Sequence, residues 1–185
     1  MRVWTRQHLD VLETLNKFGI YRVKEKYIDI KMEEFSDYYK KLYDWYSIRA
    51  EKIVSKQDEN IKYPIWVSID EKMQLQYVPN TVILELEIED DKIVITDMEK
   101  WGYVVNYFYL PYDNKDLMDH YKELEKYNIA DEGEIAMGGL GNHYPLLKRK
   151  IIKSWDRLFE DYKLSNIRQG TIWEIKKENI ISIVK

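Results

Sequence analysis

The segment TVILELEI at 81–88 leaves the fold few options. Val82, Leu84, Leu86 and Ile88 alternate with Ile83, Glu85 and Glu87, the period of two that puts successive side chains on opposite faces of a β-strand. One face is wholly apolar and must be buried. The other carries two carboxylates and tolerates water. EDDK then turns the chain, and IVI at 93–95 resumes as a strand. PIWVSI at 64–69 repeats the alternation, with Pro64 where a strand begins. VWT at 3–5 reads as an edge or first strand, and IYRV (20–23), IRQGTIWEIK (167–176) and IISIV (180–184) as further strands.

Helical spacing separates these strands. Leu9, Val11, Leu12, Leu15 and Phe18 lie on one helical face, and Gly19 stands where a glycine ends a helix. Phe35, Tyr39, Leu42, Tyr46, Ala50 and Ile53 mark a long amphipathic helix from Glu33 to about Ser55, followed by the polar linker SKQDENIK. Thr96 and Glu99 have capping-box spacing ahead of a helix with Trp101, Val104, Val105 and Phe108 inside, closed by Pro111. Another helix spans 114–127, with Leu117, Tyr121 and Leu124 on one side. DEGEIAMGGLGNHYP (131–145) holds four of the seven glycines and reads as a mobile loop. Pro145 suits the first turn of the helix that follows. Strands and helices are interspersed without regular alternation. The expected class is α+β, a single domain over 1–185 with helices packed on a mixed or mostly antiparallel sheet.

Composition closes off several functions. With 185 residues the chain suffices for one sizeable core. Net charge is −4, so no global field favours nucleic acid. The KRK cluster at 148–150 with Lys153 and Arg157 keeps a local basic patch open, although a solvated helical face explains it equally. There is no cysteine, hence no disulfide, thiolate ligand or thiol nucleophile, in keeping with a cytoplasmic place. No apolar run reaches membrane-spanning length, and none follows Arg2 as in a signal peptide. Sixteen Tyr and six Trp suit a core with wet edges or a binding surface.

Among candidate chemical groups, His8, His120 and His143 have no metal-ligand spacing, and no metal is expected. They read as ordinary surface or half-buried histidines, His143 in the glycine-rich loop being the best placed for a role. MGGLGN lacks the Gly-Lys-Ser/Thr of a phosphate loop. In IRQGTIWEIK, alternation puts Gln169, Thr171 and Trp173 on one face and Arg168, Gly170, Ile172 and Glu174 on the other. Gly170 marks a bulge or a close approach. Glu174 is then either a solvated strand position or a carboxylate flanking a gap.

Two resemblances bear on this choice. VWT with Gln7, the Gly19–Tyr21 helix end, YPIW (63–66), VILELEIEDDKIVITDMEKW (82–101), KSWDRLFE (153–160) and QGTIWEIKKENI (169–180) together resemble a bacterial and phage family catalogued as domain of unknown function 3841. That likeness implies a single domain of this length and no established activity. The order of a first strand, a helix, a Tyr-rich segment and a late strand bearing Glu also resembles ADP-ribosyltransferases. That second likeness implies an enzyme acting on NAD with an unknown target. Arg6 or Gln7 would hold NAD from the first strand, and Tyr63 or Tyr21 would grip it. Glu174 would be the catalytic carboxylate, in a pocket walled by Trp4, Tyr63 and Trp66. The sequence departs from the Arg-Ser-Glu type at Ile172, where Gln or Glu stands two residues before the catalytic Glu, and it has no Ser-Thr-Ser motif. The alternative is a non-catalytic module that binds a protein partner through aromatic side chains.

Overall fold

The structure, a computed structural model, describes residues 1–54 and 61–184. It is α+β. Most of the linker expected at 55–62 lies outside the described residues. Two compact units emerge, one from 1–95 with 169–185 and one from 96–168.

The first unit is built on a six-stranded sheet. Its strands are β1 (Arg2–His8), β3 (Ile65–Ser68), β4 (Thr81–Glu87), β5 (Val94–Asp97), β6 (Arg168–Ile172) and β8 (Ile180–Val184), in the order β5-β6-β3-β1-β4-β8. The pairings of β1 with β3 and β4, of β3 with β6 and of β4 with β8 are all antiparallel. The first strand is thus central, because its alternating Val3 and Thr5 are as buried as Leu84 and Leu86 opposite them. A two-stranded ladder of β2 (Ile20–Tyr21) and β7 (Ile175–Lys176) stands beside it.

Val3, Val67, Val82, Leu84, Leu86 and Ile172 form the core face of the sheet, against Val11 and Leu15 of α1 (Asp10–Phe18). Helix α1 ends as expected at Gly19, whose φ of 73° is left-handed and whose N–H returns to the Leu15 carbonyl. The long helix expected from Glu33 starts instead at Ser36, as α3 (Ser36–Ala50), preceded by an unexpected helix α2 (Glu25–Met32) and a 3-10 turn in which Glu33 has φ 46°. Phe35 and Ile53, expected on the inner face, are exposed. Leu42, Tyr46 and Ala50 are buried there as expected, joined by Tyr43 and Ser47.

Gly170 is a close approach. It faces Val67 across the β3–β6 ladder, and a Cβ there would lie 2.5 Å from Ile93 Cδ1 and 2.8 Å from Val67 Cγ2. Ile93 has a free end to rotate, but a β-branched Val in a strand has little choice of rotamer. Gly170→Ala is therefore expected to cost about 1–3 kcal/mol through overpacking. Denaturant unfolding checks it, and an unchanged midpoint refutes it.

The second unit is helical: α4 (Met98–Val105), α5 (Asn114–Lys126), α6 (Glu132–Ala136) and α7 (Pro145–Ser154). Helix α4 is capped by Asp97, not Thr96, through the N–H groups of Glu99 and Lys100. Its buried positions are Lys100 and Val104, whereas Phe108 is exposed. The glycine-rich segment is not a plain loop. It forms α6 and a 3-10 turn at Gly139–Asn142, with Gly141 buried so tightly that a Cβ would overlap the Ile135 carbonyl.

Candidate functional site

Strand β6 stops at Ile172, two residues short of Glu174. The chain bends at Trp173 and Glu174 before β7 pairs Ile175 with Tyr21. The bend turns Trp173 into the core, 5% exposed, and leaves Glu174 at the wall of a hollow of about 120 Å³. Ile61, Ile88 and Trp173 supply apolar wall; Lys92 and Lys176 supply positive charge, and Glu89, Glu174 and Glu178 negative charge.

Glu174 is neither on a strand nor freely solvated, its side chain being 18% exposed. Arg22 donates from Nε (3.1 Å) and Nη2 (2.9 Å) to the same oxygen, Oε2. Lys176 Nζ lies 3.9 Å from the other, Oε1. The guanidinium fixes the carboxylate through one oxygen, as charge-assisted bonds do. Arg22 was not visible as a partner in the sequence, since it lies 152 residues away.

Behind the hollow stands an aromatic stack. The Trp173 ring is stacked on Tyr46, with centroids 6.2 Å apart at 12°, and its Nε1–H donates to Ser47 Oγ at 3.2 Å. Tyr46 is completely buried, 5.6 Å from Trp66, and its hydroxyl is 2.6 Å from Thr171 Oγ1. Burial drives the Tyr46 phenol far above its ordinary pKa.

The other residues expected around Glu174 lie elsewhere. Trp4 is on β1 opposite Ser68 and Glu85. Arg6 is opposite Ile83, with Nη1 donating to the Gln76 carbonyl at 2.7 Å. Gln7 donates to Thr5 Oγ1. Tyr63 is buried beside Tyr43, and Trp66 Nε1 points to the Tyr43 hydroxyl at 3.4 Å. None of these five lines the hollow among the described residues. Tyr21 does not line the hollow among the described residues either; it pairs with Ile175, next to Glu174 in sequence, and burial lifts its phenol to about 12. Trp66 and Trp173 each pack against Tyr46.

The second unit holds a separate polar network that the helical pattern concealed. His120 is fully buried, its Nε2 2.7 Å from Glu132 Oε2, and the same oxygen accepts the Tyr109 N–H at 3.0 Å. Tyr109 stacks on the His120 ring at 4.2 Å. Arg157 donates to Asp116 and to the Leu110 carbonyl, and Lys150 pairs with Glu123, so two members of the basic cluster are held inside the unit. Lys100 Nζ donates to the carbonyls of Arg157 and Glu160 and lies 3.4 Å from the Tyr162 ring centre. Burial pushes its pKa down. These contacts read as scaffold, most of the polar groups being matched to a backbone or side-chain partner, whereas His120 Nδ1 has none among the described residues.

No helix among the described residues is long and apolar enough to cross a membrane. No curated protein and no solved structure matches the chain. A family model described as "Domain of unknown function (DUF3841)" matches residues 2–181. The comparisons therefore support the first resemblance and not the ADP-ribosyltransferase likeness.

Proposed function

The chain belongs to the family described as domain of unknown function (DUF3841), and from that premise we propose that the hollow beside Glu174 binds one end of a small ligand that carries a cationic ring and an anionic tail. The supporting observation is the pairing of opposites in one lining: a half-buried carboxylate next to an indole, with Lys92 and Lys176 alongside Glu89 and Glu178. A carboxylate and an aromatic ring attract a flat cation. Two ammonium groups attract phosphate. At about 120 Å³ the hollow admits a single ring, well below the ~300–1,000 Å³ of a pocket that swallows a whole ligand.

NAD has this charge pattern and is the ligand to test. As an enzyme the protein would break the bond between nicotinamide and ribose, release neutral nicotinamide, and pass ADP-ribose to an acceptor that gives up a proton. Glu174 would face the positive charge that grows on the ribose. A cysteine-free chain of this family fits such work in a bacterial or phage-infected cytoplasm. Calorimetric titration should detect NAD binding, and Glu174→Gln should weaken it about tenfold, the worth of one hydrogen bond to a charged group. Wild-type protein that ignores NAD overturns this reading, and NAD binding without nicotinamide release removes only its catalytic part.

The alternative, a non-catalytic module with a protein partner, draws support from the edge strand β8, where Ile181, Ile183 and Val184 are exposed. Such edges take up added strands. It gains if neither NAD nor any nucleotide shifts the thermal midpoint.

A further inference from the structure

Beyond Lys176 and Glu178, which belong to the walls of both, the hollow adjoins an open groove of about 550 Å³ bounded by Phe18, Gly19, Ile20 and Lys177. We propose that this groove is a nucleotide subsite, with Phe18 as the platform for a base and the lysines around it as the seat of its phosphates. Phe18 is 63% exposed at the last position of α1. Lys17 Nζ lies 5.1 Å from its ring centre. Lys176 and Lys177 enter from the opposite wall, and only Glu178 in the lining opposes them in charge. An exposed aromatic face among ammonium groups is the arrangement on which bases stack while phosphates are neutralised.

The walls are held by backbone and need no ordering by the ligand. Ile20 pairs with Lys176 across the β2–β7 ladder, and the Lys177 N–H donates to the Gly19 carbonyl at 2.8 Å. Gly19 has nothing within 4 Å of where a Cβ would sit, so the floor between Phe18 and Lys177 is open. Because the groove and the hollow share Lys176, one dinucleotide could occupy both, with its diphosphate at that lysine. This continuity rests on the function proposed above; the nucleotide subsite itself does not.

ADP is the probe, since it carries base and diphosphate and no cationic ring. Wild-type protein should bind ADP with an affinity that falls as salt rises. Phe18→Ala and Lys177→Ala should each weaken it about tenfold. Phe18 and Lys177 are surface residues, and circular dichroism verifies that both variants fold. Absent ADP binding, or variants that bind as well as wild type, overturns the subsite. ADP binding without any response to NAD beyond that of ADP would retain the subsite and overturn the reading of the Glu174 hollow.

Discussion

Glu132→Ala is expected to destabilise the unit formed by 96–168 by about 2–5 kcal/mol, the cost of stranding two buried groups that share one acceptor. Glu132 is 8% exposed, and one of its oxygens accepts from two buried donors, His120 and the Tyr109 backbone. Alanine would leave both donors with no acceptor and no water. Each stranded buried group costs about 1–3 kcal/mol. His120 has no spare capacity to compensate, because its Nδ1 already lacks a hydrogen-bond partner among the described residues. Glu132→Gln should cost less, since its amide oxygen still accepts one of the two bonds. Adding His120→Ala to Glu132→Ala should cost less than the sum of the singles, because the two groups share one interaction. Urea unfolding followed by tyrosine fluorescence reads wild type and the four variants, the His120→Ala single included, and a loss under about 1 kcal/mol for Glu132→Ala would show the pair to be incidental.

This pair also illustrates where sequence reasoning stopped. The spacing of Leu117, Tyr121 and Leu124 fixed the extent of α5 but rotated its inner face, because a histidine counts as polar in any periodic pattern. Tyr121 is exposed and His120 is buried, its Nε2 set against the Glu132 carboxylate and its ring stacked on Tyr109. Lys100 misled the reading of α4 in the same way. The strands were more legible. TVILELEI needs only neighbouring side chains to declare its faces, and Val82, Leu84, Leu86 and Ile88 are all buried as that alternation requires.

At the candidate site, the sequence left Gly170 as either a bulge or a close approach and Glu174 as either a solvated position or a carboxylate flanking a gap; Gly170 stands against Ile93 and Val67, and Glu174 borders the hollow. It erred in continuing the strand through Glu174, since a bend at 173–174 leaves no alternation to detect. Arg22 could not be found at all. A contact across 152 residues is made by topology, with β2 folding back on β7, and no local pattern encodes it.

Trp173→Ala should be the most damaging single change in the sheet unit. Removing a buried tryptophan costs about 3–5 kcal/mol, through lost transfer energy and the cavity left behind. Here the loss has three sources. The Tyr46 ring loses its stacked partner, the Ser47 hydroxyl loses the donor at 3.2 Å, and the hollow beside Glu174 loses an apolar wall. Trp173→Phe separates them: a ring remains against Tyr46, and only the indole N–H and some area go, so about 1–2 kcal/mol is expected. The two substitutions also distinguish scaffold from site. If Trp173 serves only the core, the phenylalanine variant, folded and nearly as stable, should bind any ligand of the hollow as tightly as wild type. If the indole faces the ligand's ring, the same variant should lose affinity for NAD while keeping its affinity for ADP in the neighbouring groove. Thermal unfolding read alongside both titrations decides between them, and a stability loss below about 1 kcal/mol for Trp173→Ala would contradict the packing argument itself.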